Sequence, residues 1–236
     1  MNTGFYKDLD TNFEQAYELC GKDFSHNELI SLLKNGNIPQ KQIAALKFDY
    51  VKSKEDAEAL LNNLTGCDGK IREAVAMKIF QLILANNSVS EYFTQLSPKV
   101  FADATIDINA NICRLIVDSV VYLDKNSQFV SEYVDFLVNY TTEALDELDK
   151  FIFRDKKYVI NKQLFKLYWC LESLKNFYDK VDFSTLESLL KRSIAQNEYT
   201  VREKAAQIIQ KSGMFEELKA KLMNDENYYV RAVFNP

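Results

Sequence analysis

Apolar residues return along this chain with the spacing of helices that bury one face. In VREKAAQIIQKSG, Val201, Ala205, Ile208 and Ile209 fall at i, i+4, i+7 and i+8. The same periodicity runs through Leu29-Ile30-Leu32-Leu33, Ile79-Leu82-Ile83, Ile112-Ile116-Val120 and Leu186-Leu189-Leu190. No segment alternates with the period of two that a half-buried strand requires. Start signals accompany the periodic segments. Ser25 with Glu28, Ser184 with Glu187 and Thr200 with Glu203 have the spacing of capping boxes, in which side chains satisfy orphan amides. Ser97-Pro98 fits an N-cap followed by a first-turn proline, and Gly213 is placed to stop a helix. About a dozen helices follow, joined by short loops. Gly 6 and Pro 3 in 236 residues leave too few turn formers for a sheet protein.

The helix starts recur. Windows align on Ile71 (CDGKIREAV), Ile112 (NANICRLIV), Val159 (DKKYVINKQ), Val201 (NEYTVREKA) and Val230 (DENYYVRAV), with a weaker one near Gln40 (NIPQKQIAA). The anchors step by 31, 41, 47, 42 and 29 residues, near the period of stacked helical hairpins. The step of 47 makes room for TTEALDELDKF, an inserted or extended helix.

Three windows combine a turn acid or amide with an apolar-Arg pair: Asp68 with Ile71-Arg72, Asn197 with Val201-Arg202, and Asn227 with Val230-Arg231. In this they resemble the HEAT-repeat family. The resemblance implies an all-α fold, a right-handed α-solenoid of about five to six HEAT-like helical hairpins. It implies one repeat domain over residues 1–236, with 1–24 as an N-terminal capping segment and 141–153 as an extra helix. It further implies that Asp68, Arg72, Asn197, Arg202, Asn227 and Arg231 form a polar ladder between neighbouring turns, and that second helices line the concave face. Cys113 and Ile160 stand where two arginines should be, so the ladder is expected to break in the middle.

Composition narrows the function. Hydrophobic residues at 47 % and charged residues at 27 % suit a packed protein rather than a disordered one. The net charge of −5 disfavours nucleic-acid partners, whose affinity rests on neutralising phosphates, and anionic membranes for the same reason. No uninterrupted apolar run is long enough to span a bilayer, and the first residues have no secretory pattern. A cytoplasmic setting is expected. Cys20, Cys67, Cys113 and Cys170 lie far apart, without metal-ligand or disulfide spacing, and read as small buried hydrophobes.

Nucleotide-binding glycine motifs and a nucleophile elbow are absent from the sequence. His26, the one histidine, directly follows the N-cap assigned to Ser25 and is expected at an exposed helix start. No catalytic residue, metal or cofactor is therefore assigned. The acidic stretch Glu143, Asp146, Glu147 and Asp149 lacks the pattern of a calcium loop and reads as a solvated face balanced by Arg154, Lys156 and Lys157. What remains is a row of side chains opposite the core stripe of the second helices. Met77, Phe80, Tyr122, Phe165, Tyr168 and Trp169 form a candidate binding strip, with Arg114 and Asp118 as polar pins. Aromatics and arginine are the usual anchors of interfaces. The competing reading packs these groups against the next repeat. The expected function is a non-catalytic scaffold for a protein or peptide partner. The alternative is a HEAT-fold enzyme, resembling alkylpurine DNA glycosylases or bilin lyases.

Overall fold

A computed structural model describes the backbone of residues 4–150 and 157–234. Helices dominate, and there is no strand among the described residues. The chain divides into two compact units, 1–123 and 124–236.

In the first unit, α1 (Gly4–Cys20) precedes three hairpins. These are α2 (His26–Asn35) with α3 (Ile38–Leu46), α4 (Lys54–Leu61) with α5 (Gly69–Ala85), and α7 (Pro98–Thr105) with α8 (Ala110–Val120). A short α6 (Ser90–Phe93) lies in the connection between the last two. The second helices stack in order, α3 on α5 and α5 on α8, while α1 packs against α3. Leu33, Phe48, Leu60, Ile79, Ile83, Phe101, Ile112 and Ile116 are fully buried along this stack.

Three more hairpins form the second unit. They are α9 (Gln128–Lys150) with α10 (Lys157–Leu174), α11 (Phe183–Ser193) with α12 (Tyr199–Ser212), and α13 (Glu216–Leu222) with α14 (Tyr228–Ala232). Again the second helices are neighbours, α10 with α12 and α12 with α14. Their core includes Tyr133, whose hydroxyl meets Ser173 Oγ at 2.8 Å and whose ring stands at 82° to Phe177. Without such a partner the buried hydroxyl would cost about 1–3 kcal/mol, offsetting much of what the ring gains.

All six aligned windows fall in second helices, α3, α5, α8, α10, α12 and α14. Within each unit a hairpin leaves an apolar face that its neighbour covers, the logic of a repeat protein. Residues 141–150 continue α9 as one 23-residue helix, and 151–153 lie outside the described residues.

The caps show where sequence spacing is decisive. Ser25 and Glu28 close their box reciprocally, Glu28 Oε2 accepting from Ser25 N at 2.7 Å. Ser97 and Pro98 start α7 as expected, without a side-chain cap bond. The other two boxes are corrected. Asp182 caps α11 ahead of Ser184, its two oxygens taking Ser184 N and Thr185 N, and these donors hold its carboxyl down to about 2. Glu198 caps α12 ahead of Thr200. In both cases the helix starts two residues earlier than the box spacing predicts, and a carboxylate at that earlier N-cap takes the free amides. Gly213 ends α12 at φ +65°, a left-handed conformation glycine adopts without strain.

Candidate functional site

The arginine windows are structural clasps. Arg72 grips Asp107 with two bonds, Nε to Oδ2 at 2.6 Å and Nη2 to Oδ1 at 3.2 Å. Arg202 grips Asp225 in the same way at 2.7 and 2.9 Å. Each arginine also donates to the carbonyl six residues back: Arg72 to Gly66, Arg202 to Gln196 and Arg231 to Asp225. Cys113 sits in the same register, and its thiol donates to the carbonyl of Asp107, again six residues back. The pairing carboxylate keeps Arg72 and Arg202 further above their ordinary range, and Arg202 pulls Asp225 below its own. Of the other ladder residues, Asp68 and Asn227 are N-caps of α5 and α14, and Asn197 offers its carbonyl to Arg202. Asp107 and Asp225, the acids that hold the arginines, escaped the sequence reading. Their signal was available, since DINANI and DENYYV share an Asp five residues before the anchor and an Asn three before it.

The candidate strip divides between the units. In the first, Met77 and Phe80 are half-buried on α5, while Arg114, Asp118 and Tyr122 are exposed on α8 and just after it. In the second, Phe165, Tyr168 and Trp169 come together on α10. The indole ring lies 6.3 Å from Phe165 at 68° and 5.2 Å from Tyr168 at 85°. The three planes thus form a corner rather than a stack. Trp169 is only 6 % exposed, deeper than a simple surface strip would place it.

These rings line an open depression of about 540 Å³ with Asn161, Leu164, Glu198 and Thr200. Asn161, Leu164, Phe165, Tyr168 and Trp169 share one face of α10 at helical spacing, and Glu198 with Thr200 comes from the start of α12. Two polar features stand out. Trp169 Nε1 is buried and has no acceptor among the described residues. Glu198 is the one ionisable carboxylate or base of the lining, and its Oε1 takes Thr200 N and Thr200 Oγ at 3.5 and 3.2 Å. Beside the depression, Lys204 lies 4.9 Å from the Tyr168 ring centre and 2.7 Å from Glu172. Burial would push Glu172 up, but Lys175 and Lys204 outweigh it and hold the carboxyl low.

His26 is corrected. Its side chain is 8 % exposed, stacked on Tyr50 at 4.4 Å, with Nε2 3.1 Å from Asp56 Oδ1. Burial would raise Asp56, but the Lys52 amide, His26 and Ser53 together lower it. The cysteines split: Cys113 and Cys170 are buried as expected, while Cys20 and Cys67 are exposed. Burial pushes the Cys170 thiol up to about 12. In the acidic stretch, Glu143 pairs with Lys166, Glu147 with Lys150, and Asp146 and Asp149 both with Arg192. Arg154 and Lys156 lie outside the described residues. No group of three metal-ligating side chains, and no helix long and apolar enough to cross a membrane, occurs among the described residues.

No family model matches the chain, and no curated protein matches it significantly. Solved structures do. One engineered protein, a structural-genomics target, aligns at 11 % identity with a TM-score of 0.53, over 90 % of this chain and 96 % of its own. The chain has the fold of a helical-repeat protein. A second engineered target aligns at 13 % identity and TM-score 0.46, over 90 % and 94 % of the two chains. A designed armadillo repeat protein aligns at 14 % identity and TM-score 0.46, over 89 % and 97 %.

Proposed function

We propose that this chain is a non-catalytic interaction module that seats a segment of a protein partner in the depression between α10 and α12. The observation that carries this reading is the aromatic corner that Phe165, Tyr168 and Trp169 form in the lining of the depression. Phe165 and Tyr168 are only half-buried, so a bound segment would cover ring surface that is now open. Rings of low conformational entropy are the material of binding hot spots. Met77, Phe80, Arg114, Asp118 and Tyr122 are proposed as a further contact surface of the first unit. The reading places the protein in the cytoplasm, where the exposed thiols of Cys20 and Cys67 stay reduced.

Peptides selected from a displayed random library on the whole folded chain provide the test. Trp169 is the only tryptophan, so its emission reports on this depression alone. Selected peptides are expected to shift that emission and to bind at least ten-fold more weakly to Phe165→Ala. Asn161→Arg, at an exposed lining position, should block binding without touching the core, and thermal unfolding checks that both variants fold. Equal affinity for all three proteins, or an emission that does not move, would overturn the reading.

A further inference from the structure

We infer that the side chain received by this depression is a methylated ammonium carried on an extended segment of the partner, a trimethyl-lysine in the simplest case. The inference rests on the proposed function above and adds the chemistry of the occupant.

The charge of the lining comes first. Among Asn161, Leu164, Phe165, Tyr168, Trp169, Glu198 and Thr200, Glu198 is the one carboxylate, and no lysine or arginine lines the space. The Lys204 ammonium beside the depression is paired with Glu172 at 2.7 Å, so the charge of the lining itself is that of Glu198, to which a cation is complementary. The α12 amide end does not reverse this, because Glu198 Oε1 already answers it through Thr200.

Ring arrangement selects among cations. Trp169 stands nearly perpendicular to Tyr168 and steeply inclined to Phe165, so a group in the corner meets several aromatic walls. Aromatic surfaces attract cations through the ring quadrupole, most effectively cations that lose little hydration. The Tyr168 ring already carries one such contact in the Lys204 ammonium.

Acceptor supply decides the degree of methylation. A primary ammonium brings three strongly hydrated N–H donors. Here side-chain acceptors come only from Glu198, Asn161, Thr200 and the Tyr168 hydroxyl, with Glu198 Oε1 already shared with Thr200, while Leu164 and the rings make the rest of the lining apolar. A trimethylammonium has no N–H to satisfy and offers methyl groups to Leu164 and the rings. That the ammonium arrives on a peptide rather than as a free amine is taken from the proposed function above.

The test uses the whole ¹⁵N-labelled chain and its single indole resonance. Three probes are titrated: the N-acetyl methylamides of trimethyl-lysine, of lysine, and of the neutral analogue with a tert-butyl group in place of the trimethylammonium. The trimethyl-lysine probe is expected to move the indole signal saturably and to bind at least five-fold more tightly than either of the others. Glu198→Gln should shrink its advantage over the neutral analogue. If that variant does not fold, the three-probe comparison in the unsubstituted protein still decides. Equal binding of the neutral analogue would overturn the charge argument, and equal binding of lysine would overturn the methylation argument. If no probe moves the indole while library-selected peptides still do, the methylated cation falls and the peptide-binding reading stands. If neither class moves it, both fall.

Discussion

The arginine clasps are where single residues carry the most energy. Arg202 and Asp225 are 7 % and 9 % exposed, and Arg72 and Asp107 both 9 %. Removing one partner of such a pair strands a buried charge, at about 3–5 kcal/mol. Arg202→Met and Asp225→Asn are each expected to lower stability by about that amount in urea unfolding, and the double variant to recover part of it. A small effect of either single variant would show that water reaches the pair. The acid limb follows from the same bond. Asp225 is held below its ordinary value by Arg202, so it contributes stability above the unfolded aspartate's pKa of about 3.9. That contribution is lost as pH falls through the lower folded value. Below about pH 4 the unfolding midpoint of the native protein should fall more steeply than that of Asp225→Asn. At this scale the sequence was half legible. The arginines stood out because apolar-Arg pairs recur at helix starts. Their acids recur too, five residues before the anchors Ile112 and Val230, but that Arg72 pairs with Asp107, 35 residues on, follows only from the stacking of turns.

Helix limits were legible where the box spacing coincides with the true start, as at Ser25 and Glu28, and where Gly213 lies beyond the last apolar residue of its helix. Ser184 and Thr200 misled because each lies inside the first turn of a helix that starts two residues earlier, capped by Asp182 or Glu198; an upstream acid alone is no guide, since Asp23 stands in the same relation to Ser25. Gly213 offers a clean check. A Cβ there would meet nothing within 4 Å, so substitution carries backbone strain alone. Gly213→Ala should destabilise by about 1 kcal/mol, and Gly213→Asn by less, because asparagine tolerates the left-handed region. A neutral Gly213→Ala in thermal unfolding would contradict that assignment. The depression belongs to this scale too. Five of its residues were readable as one face of α10. Glu198 and Thr200 were not, since nothing in the sequence says that the start of α12 borders that face.

For the molecule, repeat architecture predicts local energetics. Within each unit the hairpins contact their neighbours in the stack, so damage should spread through nearest-neighbour terms. In native-state hydrogen exchange, Arg72→Met is expected to speed exchange mainly in α5 and α8, and Arg202→Met mainly in α12 and α14. Uniform acceleration along the chain in both variants would show a single cooperative block instead. The number of hairpins was legible from the windows, since six anchors fall in six second helices. The division after Leu123 was not, because no change in composition marks it.

The clasps also give the chain a direction in time. Each buried guanidinium is completed by an acid from a later turn, never an earlier one, in both pairs observed. At a synthesis rate of about 5–20 residues per second, Arg72 leaves the ribosome roughly two to seven seconds before Asp107, 35 residues behind it. Arg202 waits for only 23 residues. During the longer interval the Arg72 guanidinium stays hydrated, and its burial waits for the turn of the third hairpin to arrive with Asp107.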